Sequence, residues 1–184
     1  MRWEALFADL EAQLNGEAAR GREVEIQEMV RIERSRIAVA ERMAGHVGAE
    51  VTVTALGGLR LRGRLLRVGS GWVAVADGPR EYLLPSAGLR TIEGLGVRVL
   101  RAAEAVPRVR PGLGAVLRAL VRDRAKVTLY CVDGAEAGTG TLDHAGADHL
   151  QLAAHPLEDH RRGREVRSLV VVPLAALAAV RREA

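Results

Sequence analysis

Arg60, Arg62 and Arg64 alternate with Leu59, Leu61 and Gly63. Successive side chains of an extended strand point to opposite faces, so this period of two lines three guanidinium groups along one face. Guanidinium grips phosphate through a planar fork of donors. A row at roughly 6.6 Å spacing can track the phosphates of a nucleic-acid backbone. Arg67 follows after a change of phase at Leu65-Leu66. The same row also suits a solvated strand face, pairing with the acidic segment 17–45, or a protein interface. A second basic cluster, His160-Arg161-Arg162-Gly163-Arg164 with Arg167, is diluted by Glu158, Asp159 and Glu165. It reads as a charged loop, either solvated or able to hold an anionic partner. Arg60, Arg62, Arg64, Arg67, Arg161, Arg162 and Arg164 are therefore the candidate nucleic-acid contacts.

Other chemistry is sparse. His144, His149, His155 and His160 lie close together with Asp143, Asp148 and Asp159, but their spacing matches no ligand motif. His144 and His149 on one strand would face opposite sides, so no metal is expected. The single cysteine, Cys131, excludes an intramolecular disulfide and sits in an apolar run that suggests core packing. No nucleophile elbow, P-loop or dinucleotide fingerprint is present, so neither an enzyme nor a cofactor is expected. Trp72 and Tyr82 can stack on bases or pack in a core, Trp72 heading a strand where it can face outward. Trp3, Leu6, Phe7 and Leu10 recur at helical spacing and form an apolar stripe suited to packing against a partner or a second copy. Glu4, Asp9 and Glu11 beside them argue against an anionic membrane surface.

Composition is ordinary for a soluble globular protein and names no function. Of 184 residues, 48% are hydrophobic and only 3% aromatic, so the core must be aliphatic. The longest apolar stretch, Leu169–Val180, contains Pro173 and is too short to span a bilayer. With no apolar leader near Met1, a cytoplasmic location is expected. Lys126 stands alone among arginines, a skew typical of GC-rich coding. The net charge of +4 is uneven: residues 47–96 carry 6 basic against 4 acidic groups and residues 97–121 carry 5 against 1. Residues 1–46 carry 7 against 9, and residues 122–184 carry 9 of each.

The elements that would position these residues occur twice. A shift of 76 lays Ile37–Thr54 on Leu113–Tyr130. A shift of 77 brings Gly63 onto Gly140, Leu65 onto Leu142, Gly69 onto Gly146 and Trp72 onto His149. A shift of 88 brings Leu84-Pro85 onto Val172-Pro173 and Ile92 onto Val180, leaving about eleven extra residues near His155–Val166. Each unit predicts a helix, then five short strands: 49–55, 59–68, 72–76, 81–84 and 89–93, and again 126–131, 135–143, 148–154, 167–172 and 177–181. Gly57-Gly58 and Asp133-Gly134 suit hairpin turns, and Pro85 and Pro173 end the fourth strands ahead of a single 3₁₀ turn. Ahead of both units, a short helix ends at Asn15-Gly16 and a charged helix is predicted over 17–45.

The pattern Val51-x-Val53, Gly63-x-Leu65, alternating apolar residues, Leu84-Pro85, Leu89 and Ile92, with its second copy, resembles bacterial Sm-like domains. That resemblance implies small barrels that bind RNA. A PRC-like barrel is the nearest rival. The stretch Arg122–Thr128, with Gly140–Asp143 and Gly146–His149, also resembles uncharacterised conserved proteins of high-GC bacteria. Where Sm proteins place an Asp and a Met-Asn pair to contact bases, this chain has Gly69, Trp72 and Val73, and then Gly146, His149 and Leu150. The Sm base pocket therefore does not carry over.

The expected architecture is mainly β with α: two tandem, five-stranded Sm/SH3-like small barrels, each preceded by a helix, plus an N-terminal helical arm. Its parts are an arm over 1–45, a first barrel over 46–96, a linker over 97–112, and a helix with the second barrel over 113–184. The expected function is non-enzymatic binding of RNA or another polyanion through arginine–phosphate contacts. The alternative is a protein-interaction or assembly factor without nucleic acid, in which the N-terminal helices hold a partner or a second copy.

Overall fold

The computed structural model describes residues 29, 31, 35, 37–100, 110–155 and 168–183. The chain divides into two compact units, Met1–Ala38 and Val39–Ala184. In the first, Met29, Arg31 and Ser35 are helical, whereas Ile37 and Ala38 are not. The predicted helix over 17–45 is therefore interrupted at 37–38. Trp3, Leu6, Phe7 and Leu10 lie outside the described residues.

The second unit is built of strands. After helix α1 (Val39–Ala44) come β1 (Glu50–Ala55), β2 (Arg60–Val68), β3 (Trp72–Asp77), β4 (Arg80–Pro85) and β5 (Leu89–Glu93). Helix α2 (Leu113–Arg122) leads into β6 (Lys126–Cys131), β7 (Glu136–Ala145), β8 (His149–Ala154), β9 (Ser168–Pro173) and β10 (Leu177–Glu183). Proline ends β4 and β9 because it cannot extend a ladder, and one 3₁₀ turn follows each, Ser86–Gly88 and Leu174–Ala176. No described helix is long and apolar enough to cross a membrane.

The ten strands among the described residues join one antiparallel sheet in the order β5-β1-β2-β3-β4-β10-β6-β7-β8-β9. The ladder runs unbroken from β5 to β9 and does not close on itself. Its two halves repeat one order: the fifth strand beside the first, then the second, third and fourth. They meet where β4, the fourth strand of one half, pairs with β10, the fifth of the other. The bulges recur as well. β2 slips against β3 between Leu65 and Arg67, and β7 slips against β8 between Leu142 and His144, positions related by the shift of 77. A bulge strengthens twist and bends the strand, and the sheet coils around two largely aliphatic cores that share residues across the junction: Ala178 and Ala179 join the first, Trp72 and Leu83 the second. One core gathers Met43, Val53, Leu61, Leu65, Val75 and Leu84. The other gathers Leu117, Leu129, Leu142, Leu150, Leu152 and Val180.

Two glycines let the coil tighten. A Cβ on Gly63 would overlap the backbone carbonyl oxygen of Ala76, and one on Gly140 would overlap that of Ala153. Both sit at inward-facing positions of the second strand of their half, where no side chain fits. Gly69 and Gly146 play a second matched role, lying flat beneath the Trp72 indole and the His149 ring.

Candidate functional site

The exposed arginines follow from the alternation of β2. Leu61, Gly63 and Leu65 point inward, and Arg60, Arg62 and Arg64 point to solvent on one face. The bulge after Leu65 then changes the phase, as expected from Leu65-Leu66. Arg67 consequently leaves the row and lines a different groove with Trp72, Tyr82 and helix α2. Arg161, Arg162 and Arg164 lie outside the described residues.

The row is not a uniform cationic track. Arg64 stands opposite Glu50 in the β1–β2 register. Arg60 reaches the Glu93 carboxylate at 3.5 Å, both side chains being more than half exposed. Such a solvated pair contributes between nothing and about 1 kcal/mol, so it holds the face weakly and can yield to a stronger anion. Glu50, Asp77 and Glu93 line the same shallow surface as Arg60 and Arg62. Three carboxylates among three arginines lower the field that phosphates would meet.

Trp72 and Tyr82 are not available for stacking on bases. Trp72 is 4% exposed and Tyr82 is 5% exposed. The Trp72 Nε1–H donates to the Pro111 carbonyl at 2.8 Å, and the Ser70 N–H donates to the same oxygen at 3.1 Å. Trp72 thus faces inward, the core alternative of the two readings, and pins the approach to α2 onto the β2–β3 turn.

His144 and His149 meet rather than diverge. The β7–β8 turn folds their strands together and leaves the ring centroids 5.8 Å apart. His149 also engages Asp148 at 2.9 Å, which holds the Asp148 carboxyl below the usual range through that hydrogen bond first and charge second. His155 is buried and shares a 2.7 Å hydrogen bond with the Thr141 hydroxyl. His160 is outside the described residues, and among those described no three metal-ligating side chains converge. Burial first, then the charge of Asp133, pushes the Cys131 thiol up, away from the thiolate form that attacks electrophiles.

The half-junction carries a polar network. Arg181 donates to the Tyr130 hydroxyl at 2.7 Å and to the Thr128 hydroxyl at 3.0 Å, with its guanidinium 5.6 Å from the Tyr130 ring centroid. Thr128 in turn shares a 2.9 Å hydrogen bond with Thr139.

A further surface lies at the far edge of the sheet. Strand β9 reads Ser168-Leu-Val-Val-Val-Pro173, and Leu169 and Val171 are each 55% exposed. Among the described residues no strand pairs along its outer side. The sequence signal was an apolar run on both phases where the matching strand β4 reads Arg-Glu-Tyr-Leu-Leu-Pro: a strand apolar on both faces requires cover on both. At the opposite edge, β5 and α1 border an open groove of about 580 Å³ lined by Val39, Arg42, Ile92, Glu93 and Leu95. The chain matches no family model and no curated protein sequence.

Proposed function

We propose that this chain is a non-enzymatic interaction module that recruits a protein by adding a strand at the β9 edge of its sheet. The two five-stranded halves serve as small barrels of Sm/SH3 type, rigid supports that hold the edge in place. The observation that carries this reading is the exposure of Leu169 and Val171 on a strand whose outer side pairs with no other strand among the described residues, a ready template for another strand. Main-chain hydrogen bonds supply affinity there and the two apolar side chains supply register. The test is quantitative co-purification from native cells under cross-linking. The double variant Leu169→Asp, Val171→Asp should lose the bound protein, because a carboxylate buried without a partner is costly. Full retention would reject the edge as the binding surface.

A second reading, binding of RNA or another polyanion, rests on the shared exposed face of Arg60, Arg62 and Arg64. It predicts binding to generic RNA that weakens steeply with salt. Replacing all three by alanine should flatten the slope of log K against log salt by about 2–3 units. Absence of binding at low salt would reject it.

A further inference from the structure

Beside Arg67 the sheet carries an open groove of about 710 Å³ that neither functional reading uses. That volume lies within the roughly 300–1,000 Å³ of small-molecule sites. Its floor is set by strand register. Arg67 stands opposite Ala74, Ala74 opposite Leu83, and Leu83 opposite Val180. Residues directly opposite one another share a face, so these four make one row across β2, β3, β4 and β10. Three strand spacings make the row about 14 Å long. The wall is α2, where Ala115 and Ala119, four residues apart, turn a small-residue stripe to the groove. Methyl groups there leave the space over the row unfilled.

The chemistry of the lining restricts the occupant. The Trp72 Nε1–H, a donor at the groove, is already committed to the Pro111 carbonyl at 2.8 Å. Among the described residues no buried side-chain nitrogen or oxygen lacks a partner. A peptide laid along the row would bring backbone amides that find nothing to bond, whereas an alkyl chain brings none. Positive charge sits at the two ends in different settings. Arg182 stands opposite Glu81, which also lines the groove. Arg67 is exposed, stands opposite an alanine, and has no described side chain paired with it. The apolar row therefore ends on one uncompensated guanidinium, whose planar fork of donors matches a carboxylate.

We infer that this groove is a binding site for a single-chain anionic amphiphile, its alkyl chain lying along Ala74, Leu83 and Val180 and its carboxylate held by Arg67. The site is separate from the β9 edge and stands whether or not that edge recruits a protein.

Trp72 reports on the site. The chain has two tryptophans, so Trp3→Phe leaves Trp72 as the single emitter. In the full chain with that change, ω-bromododecanoate below its micellar concentration should quench Trp72 saturably. Dodecanoate should displace it and dodecyltrimethylammonium should not. Arg67→Ala changes an exposed side chain, so the fold should hold, and it should weaken carboxylate binding roughly tenfold. Arg67→Lys should restore part of that loss. The matching bromoalcohol should bind wild type and Arg67→Ala alike. Ala119→Phe should fill the groove and abolish quenching, with circular dichroism checking the fold. Ala115→Phe, at a more exposed position of the same stripe, should do the same. The Leu169→Asp, Val171→Asp variant should bind like the wild type. Quenching that never saturates overturns the inference, as does quenching that survives both groove-filling changes. Carboxylate binding unchanged by Arg67→Ala overturns it too, and dependence on Leu169 or Val171 would move the amphiphile to the β9 edge and equally overturn it.

Discussion

Gly63→Ala should lower the unfolding free energy by about 3 kcal/mol, and Gly140→Ala should do the same within error, because both glycines meet a backbone carbonyl oxygen of the next strand. A flexible side chain could swing away from the added methyl group. A carbonyl held in a ladder cannot, so β2 would have to separate from β3, or β7 from β8. That separation removes the tight coil which brings Leu61 and Leu65, or Leu142, onto their cores. The control is Gly112→Ala, where an added Cβ meets nothing within 4 Å. Urea midpoints of the three variants check the prediction. A Gly63→Ala midpoint close to that of Gly112→Ala would show that the strands have slack, and the matched stereochemistry of the halves would lose its force. Loss of the β2 coil should also disturb the arginine face, since Gly63 is the inward residue between Arg62 and Arg64.

The strands were legible in the sequence because they are short, several alternate apolar with polar residues, and glycine or proline marks many of their turns. β5 runs over the predicted 89–93 and β6 over the predicted 126–131. Those are local signals, fixed by pleat and turn chemistry. The join between β4 and β10 was not legible. It pairs segments about a hundred residues apart, and nothing local marks which edge meets which. Two tandem small barrels were the expectation, and the ten described strands hydrogen-bond into one sheet that does not close on itself. The meeting of His144 and His149 was missed for a related reason. The strand predicted over 135–143 stops short of His144, whereas β7 runs on to Ala145 and sets His144 beside His149 on β8. Core packing of Trp72 was legible, but its anchor was not, because Pro111 lies beyond the whole first repeat. The arginine row was read correctly as a face, since alternation alone decides it. Its acidic setting needed the register with β1 and the position of Glu93 on β5.

Leu83→Ala should destabilise the chain by about 3 kcal/mol, while Val171→Ala at the matching position should change the unfolding free energy of the dilute protein by less than about 0.5 kcal/mol. The two residues occupy equivalent positions on equivalent strands, so intrinsic strand preference contributes similarly to both. What differs is cover. Leu83 is enclosed by the second core beneath α2, and its truncation leaves a cavity beside Val180. Val171 has over half its surface in water already, so truncation removes little burial. Equal effects of the two truncations in dilute protein would mean that Val171 is covered within a single chain, and the β9 edge would not be free to receive a partner.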